Sequence, residues 1–588
     1  MKINDGIAQD IDFSKKEDKE VYWHSTAHIL ATAVKRLYPD AKVTIGPPID
    51  NGFYYDFDNL DIGENDLKKI ENEMKKIMKD KLPFKREELS KAEMLKLFKD
   101  EPYKVEMIKD IPKGETLSVY YLGKEFIDFC RGPHVEHAGL IRSVKLTKMA
   151  GAYWKGDSNK KMLTRIYGIS FPTREELQAY LQMLEEAKKR DHRVLGKKLD
   201  LYSFLDYAPG FPFFHDKGNI LLDELIEFWK EEHRAENYEI IKTPQIMRRE
   251  LWEKSGHWSK FKENMYTTSI EGDDYAIKPM NCPGGMLLYN RTKHSYKEFP
   301  LRVGELGVVH RHELSGTLAG LLRVRVFTQD DAHIFITEDQ IAQEIKDIFK
   351  LVDKMYSKFG LEYRTVLSTR PEKYIGEIKT WDKAEASLKQ ALKELKFDYE
   401  VEAGDGAFYG PKIDILLKDA LGREHQCGTI QLDMNLPERF EMTYVGADNS
   451  EHRPIMLHRV IYGSLERFLG IVVEHFAGKF PLWLGPNQIK IIPVAEPFNK
   501  YAKEVEAKLK EEGFRAEADV SENSMNKKIR ESEKQYYNYI LIVGEKEETG
   551  KFANVRIRDT REQKDIKLDE FIKNIKIERK SRLIKSQL

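Results

Sequence analysis

"VRVFTQDDAHIFI", residues 324–336, is rich in β-branched and aromatic residues and reads as a strand. A strand's period of two sets Gln329, Asp331, His333 and Phe335 on one face. Three neighbouring polar residues on one strand face are hard to bury without a ligand, so this face reads as the floor of a site. Upstream, "VVHRHELSG" (308–316), read as a strand entering a glycine-containing loop, puts Arg311 and Glu313 on one face, with Arg323 beyond the loop. Downstream, "HRVIYGSLERFLGIVVEHF" (458–476) reads as a helix holding Gly463, Ser464 and Arg467 within one turn, where the glycine lets another group approach the backbone.

The chain around these motifs has 588 residues, enough for about four domains at ~150 residues each. Its net charge of −1 hides 97 basic and 98 acidic side chains, so the global balance neither requires nor excludes nucleic acid. Three cysteines, Cys130, Cys282 and Cys427, are too few for a disulfide framework. No apolar run approaches the ~20 residues of a membrane span. The N-terminus lacks a signal-peptide core, and a cytoplasmic protein without membrane contact is expected.

Residues 21–173 read as mixed helix and strand. In "VYWHSTAHILATAVKRLYP", Leu30, Val34 and Leu37 form an apolar stripe, which predicts that His24 and His28 point away from the core. "NDLKKIENEMKKIMKD" reads as a helix with a solvated lysine-rich face. "REELQAYLQMLEEAKKRDHRVLGKKL" predicts a connecting helix ending near Gly196. From residue 488, strands alternating with helices predict a small α/β domain, closed by a basic tail read as a frayed end, with RNA phosphate contact as the alternative.

"HRHE", its loop with Arg323, and "GSLERF" resemble motifs 2 and 3 of the class II aminoacyl-tRNA synthetases, and "YEIIKTPQIM" resembles their dimer-forming motif 1. Together with "KPMNCPG" and "GAFYGPKID" they are similar to threonyl-tRNA synthetases of bacterial type, closely from residue 21 to about 483. The resemblance implies an α+β multidomain fold: an editing domain (1–173), a linker helix (174–196), a class II antiparallel-sheet catalytic domain (197–483) and an α/β anticodon-binding domain (484–588). It implies a homodimer that uses ATP, with Mg2+, to join L-threonine to tRNA(Thr).

The same resemblance implies one Zn2+ per chain held by Cys282, His333 and His458, with Met280, Gln329, Asp331 and Tyr409 lining the threonine pocket. Arg311 would bridge the substrate carboxylate and the α-phosphate, Arg323 and Arg467 would hold the γ-phosphate, and Glu313 and Phe327 would take adenine. Gln426 and Gln431 are further nucleotide and substrate contacts, and His257 lies near the tRNA ribose. For editing of seryl-tRNA, "HSTAH" (His24, His28) would join Lys104 and "DFCRGPH" (Asp128, Cys130, His134). By ligand type these residues fit zinc or acid/base work equally; the threonyl resemblance favours a metal-free site. Arg530, Glu547 and Arg556 match positions that approach the anticodon.

Departures are Gly285 and Val326, which stand where the family often has histidine and glycine, an altered "DVSENSMNKKIRE", and residues 1–20, too short for the family's ubiquitin-like N-terminal module. A stand-alone editing hydrolase and a non-catalytic RNA-binding regulator are the competing expectations.

Overall fold

The computed structural model describes residues 1–112, 117–157 and 159–588. They form two compact units, Met1–Glu185 and Glu186–Leu588.

In the first unit the Lys16–Leu37 helix is the central element. Alanine and leucine favour helix, Glu17 and Asp18 meet the positive N-terminal dipole end, Lys35 and Arg36 meet the other, and Pro39 follows the stop. Buried residues run almost continuously from Val21 to Val34, so the helix is enclosed on most sides. This overturns the expected one-sided helix: His28 is 1% exposed and lies inside, whereas Leu37 of the predicted apolar stripe is 39% exposed. Ser25, Thr26 and Thr32 tolerate burial because each hydroxyl donates to the carbonyl four residues back. Around the helix lie an antiparallel sheet built on Gly52–Asp58, Ser143–Tyr153 and Met162–Phe171, and a three-stranded sheet of Phe84–Leu89, Leu117–Leu122 and Phe126–Phe129. A short parallel pair, Ile7–Gln9 with His134–Val135, brings His134 to the helix.

The second unit is organised by an eight-stranded sheet. Its order is Glu239–Ile240, Leu301–His310, Val326–Ile336, Ile455–Val460, Glu424–Asp433, Lys412–Lys418, Glu362–Ser368, Tyr399–Glu402, antiparallel except for the two edge pairs. One lateral row reads Val303, His333, His458, Gln431, Lys412. Helices including Asp216–Ala235, Ile341–Ser357 and Leu465–His475 contribute to the core that buries Ala332, Ile334 and Leu457 from the strands. Two local expectations change here. His458–Val460 ends a strand, and the helix starts only at Leu465, where Ser464 caps Arg467 N. Arg311 and Glu313 lie just past the Leu301–His310 strand.

The connecting segment is two helices, Arg174–Arg190 and His192–Leu199, and Gly196 is buried inside the second. Toward the C-terminus, parallel strands Ala516–Ala518, Ile489–Pro493 and Tyr539–Val543 continue into antiparallel Phe552–Ile557 and Gln563–Lys567. The basic tail docks rather than frays: Arg582 packs over Phe228 at 4.5 Å and bonds Glu231 at 2.5 Å, and Ser586 Oγ meets Tyr539 OH at 2.6 Å. Among the described residues no helix is long and apolar enough to cross a membrane.

A buried ion pair anchors the motif 1 segment to the sheet. Lys278 Nζ donates to Glu305 Oε1 (2.9 Å) and to Thr243 Oγ1 (2.8 Å), and the Thr243 hydroxyl donates on to Glu305. Lys278 and Glu305 are 1% and 2% exposed, so removing either partner strands a charge. Lys278→Met is expected to cost about 3–5 kcal/mol, and Lys278→Met with Glu305→Met to recover most of it, both read as midpoints of denaturant unfolding.

Candidate active sites and their relatives

Strand register assembles the first site. Because His333 and His458 are direct antiparallel partners, both imidazoles project from one face, with ring centroids 5.1 Å apart. Cys282, at the start of the Cys282–Tyr289 helix, completes a buried trio whose donor atoms lie within 4.8 Å of one another. Asp433 Oδ2 accepts from His458 Nε2 at 2.9 Å, which fixes that ring and leaves Nδ1 as its lone pair. His333 Nε2 is buried and has no hydrogen-bond partner among the described residues. Burial, then repulsion from His458, holds His333 down at about 3, and burial beside Asp331 pushes the Cys282 thiol well up.

A cavity of about 310 Å³ opens over this trio, lined by Met280, Gln329, Asp331, Tyr409 and Gln431 among others. Asn281 Nδ2 donates to Asp331 Oδ2 at 3.2 Å, and the Tyr409 hydroxyl donates to Gln431 Oε1. His257 is fully buried beside the pocket, its Nε2 3.0 Å from Met280 Sδ, and burial lowers it to about 3, a neutral imidazole.

A second cavity, about 440 Å³, shares Arg311, Gln329, Thr429 and Val460 with the first. Arg311 therefore faces both; its guanidinium lies between Phe261 and Phe327, at 5.6 and 5.1 Å, and donates to Pro279 O. Arg323 Nε bonds Glu313 Oε2 at 3.0 Å, and Arg467 Nη1 donates to Leu322 O at 3.0 Å. Gln426 also lines this cavity, where Asp414 holds its amide at 2.7 Å.

In the first unit, His24, His28, Cys130 and His134 also bring donor atoms within 4.8 Å of one another. Hydrogen bonds settle the tautomer of His134. Ser25 spends its proton on Val21 O, so it accepts from His134 Nδ1 (3.1 Å), leaving His134 Nε2 as a lone pair 3.2 Å from Cys130 Sγ. Phe84 stacks on His134 at 4.9 Å. Asp128 collects Lys104 on one oxygen, and Tyr55 OH (2.6 Å) and His28 Nε2 (3.4 Å) on the other. Burial would raise Asp128, but Lys104 and His28 outweigh it and hold the carboxyl below its usual range. A cavity of about 480 Å³ joins His24, His28, Lys104, Asp128 and Cys130 to apolar Ile45, Pro47 and Met107.

Residues 266–476 match the tRNA synthetase class II core domain (G, H, P, S and T), 488–578 the anticodon binding domain, and 117–167 the threonyl and alanyl tRNA synthetase second additional domain. Threonine–tRNA ligase of Clostridioides difficile (strain 630) is 55% identical over 97% of this chain and 90% of its own. The chain belongs to the threonine–tRNA ligase family. Another relative, threonine–tRNA ligase of Desulfatibacillum aliphaticivorans, is 55% identical over 95% of this chain and 87% of its own. The RNA binding domain of threonyl-tRNA synthetase from Cryptosporidium parvum Iowa II superposes at a TM-score of 0.65 with 41% identity, over 68% of this chain and 99% of that one.

Within the family's anticodon-binding domain, Arg530 is exposed on the Met525–Lys534 helix, and Arg556 bonds Glu533 at 2.6 Å. Glu547 accepts from Gly544 N at 2.8 Å, the work of a helix cap.

Several residues that shape the sites went unread in the sequence. Asp330 accepts three backbone N–H groups, from Ile461, Tyr462 and Gly463, and so ties the central strand to the motif 3 turn. Its neighbour Asp331 drew attention through the same "QDD", and strand alternation alone separates their roles. Tyr55 and Asp433 position Asp128 and His458 with no local motif to announce them, whereas Ser25, which positions His134, lies inside "HSTAH" itself.

Burial holds His28 at about 4, whereas an unfolded histidine titrates near ~6.5. Between these values the unfolded chain binds the proton that folded His28 refuses, so stability falls as pH falls, by about 3 kcal/mol for this group. Hydrogen exchange in the Lys16–Leu37 helix, corrected for intrinsic rate, is expected to quicken as pH drops through that window, and His28→Gln to lessen the dependence, leaving the part due to His24 and His134, which burial also lowers.

Proposed function

We propose that residues 197–483 activate L-threonine with ATP and transfer it to tRNA(Thr), and that residues 1–173 hydrolyse seryl-tRNA(Thr) made in error. The chain is a class II, ATP-dependent threonine–tRNA ligase with an editing domain. The observation that carries the residue assignments is the buried Cys282, His333 and His458 trio beneath a cavity that continues into the arginine-lined one.

A thiol, two imidazoles, an orphaned His333 Nε2 and an Asp433-oriented His458 fit Zn2+ with its remaining positions open to substrate. Cys282, His333 and His458 would hold the ion, which would supply Lewis-acid contacts to the amino group and hydroxyl of threonine. Asp331 accepts from that hydroxyl, and Met280, Gln329 and Tyr409 enclose the side chain. Arg311, facing both cavities, holds the carboxylate against the α-phosphate. Arg323 and Arg467, with Mg2+, bind the outer phosphates; Glu313 and Phe327 take adenine, and Gln426 and Gln431 complete the contacts. The attacking carboxylate needs no base, so fixed positive charge is the main requirement. His257, neutral, sits where the ribose of the tRNA end would enter. Arg530, Glu547 and Arg556 approach the anticodon, residues 174–196 link the editing and catalytic domains, and residues 484–588 form the anticodon-binding domain. The enzyme works as a cytoplasmic homodimer.

Selection explains the pairing of activities. A site that ligates the hydroxyl rejects valine strongly, but serine keeps the hydroxyl and lacks one methyl, worth only about 1–3 kcal/mol. Threonine-dependent ATP–pyrophosphate exchange is expected to exceed that with serine or valine, and no preference for threonine would sink the assignment. Cys282→Ser should remove about one zinc per chain by elemental analysis. A second metal, at His24, His28, Cys130 and His134, is the alternative to a metal-free editing site, favoured by their converging donor atoms. It predicts that the same variant retains zinc.

On the metal-free reading, His24 and His28, which line the cavity, position water, His134 holds the Cys130 thiol, and the Lys104–Asp128 pair meets charge developing at the ester. His28→Ala is expected to let seryl-tRNA(Thr) accumulate while threonine-dependent exchange persists. Unchanged clearance of serine would remove His28 from the editing site.

A further inference from the structure

The nucleotide cavity depends on a loop, residues 319–323, that has little regular structure of its own. Leu321 and Leu322 line the cavity, Leu322 O receives Arg467 Nη1 at 3.0 Å, and Arg323 follows immediately. The course of this short segment therefore sets where both arginines stand.

One side chain from outside the loop holds it. His192, first residue of the His192–Leu199 helix and 3% exposed, accepts at Nε2 from Leu321 N, 3.0 Å. With Nε2 an acceptor, the ring proton is on Nδ1, which donates to Glu474 Oε1 at 2.6 Å. The same carboxylate oxygen accepts from His192 N at 3.1 Å, while its other oxygen takes Arg423. Tyr202 OH donates to His192 O at 2.7 Å. The imidazole is thus fixed in position and in tautomer, with its lone pair offered to one amide.

The loop is shaped to receive it. Gly320 has φ +54, and a Cβ there would come within 2.2 Å of His192 Nε2, so glycine is required by both the turn and the approach. Leu321 is fully buried, and its N–H would otherwise lack a partner as costly to lose as any backbone hydrogen bond.

We infer that His192 is a positioning residue for ATP: through Leu321 N it holds the loop on which Arg323 and the carbonyl partner of Arg467 are carried. It touches no substrate. The inference rests on the reading of Arg323 and Arg467 as nucleotide-binding residues.

The test compares two full-length variants in ATP–pyrophosphate exchange. His192→Leu fills the slot without an acceptor, and His192→Gln restores one. The leucine variant is expected to raise KM for ATP about tenfold, with KM for threonine little changed, and the glutamine variant to regain most of the loss. Equal ATP affinity in wild type and both variants, or a parallel rise in both KM values, overturns the inference. Hydrogen exchange at the Leu321 amide of the wild-type protein needs no variant: protection is expected, and the rate of an open loop overturns it. If Arg467→Ala binds ATP as wild type does, the parent reading fails instead, whatever the His192 variants do.

Discussion

The register between Val326–Ile336 and Ile455–Val460 decides what the second unit can do. A slip of one residue would turn His333 and Asp331 to the helix-packed face and bring Ala332 and Ile334 into the cavity. Asp330 guards against this from the buried side by holding the amides of 461–463, and Glu466, on the helix that follows, accepts from Thr328 N at 2.8 Å. Two carboxylates thus tie strand to turn and helix at one end of the pair. Burial raises both, Asp330 to about 6 and Glu466 to about 7, so this clamp sits on groups that give up charge more readily than surface acids.

Both sites use buried imidazoles, but differ in how charge is arranged around them. At Cys282, His333 and His458 the nearby carboxylates of Asp331 and Asp433 bond an amide and an imidazole, with Arg311 and Arg459 lining the same cavity. At His28 and His134 the carboxylate of Asp128 is already matched by Lys104, so that cluster is close to charge balance. One histidine–cysteine set therefore keeps its carboxylates without a lysine or arginine ion pair among the described residues, and the other has its carboxylate paired with Lys104.

Much of the candidate site in the second unit was legible because its parts lie on short motifs with a definite period. Alternation in "FTQDDAH" assigned Gln329, Asp331 and His333 to one face, as the sheet has them. Boundaries were less legible: Ser464 is the helix cap and Gly463 carries φ +82, yet a continuous apolar pattern through 458–476 masked the turn between strand and helix. The first unit misled for a physical reason. A helix read by its stripe is assumed to have a wet side, whereas Ser25, Thr26, Ala27, Ala31 and Ala33 are small enough for packing on several sides at once. Tyr55 and Phe84 come from strands distant in sequence and become site residues only when the sheets close around that helix.

The bond between Glu313 and Arg323 changes how nucleotide entry should be pictured. If one is to meet adenine and the other phosphate, each must first leave its partner. Occupation of that cavity is then an exchange of contacts: a cation and an anion that shelter each other are separated and re-paired with opposite ends of one ligand. Arg323 is thus released only by a molecule that also engages Glu313, whereas Arg311 and Arg467, which bond carbonyl oxygens, need no such exchange, so a bare phosphate gains from those two and little from Arg323.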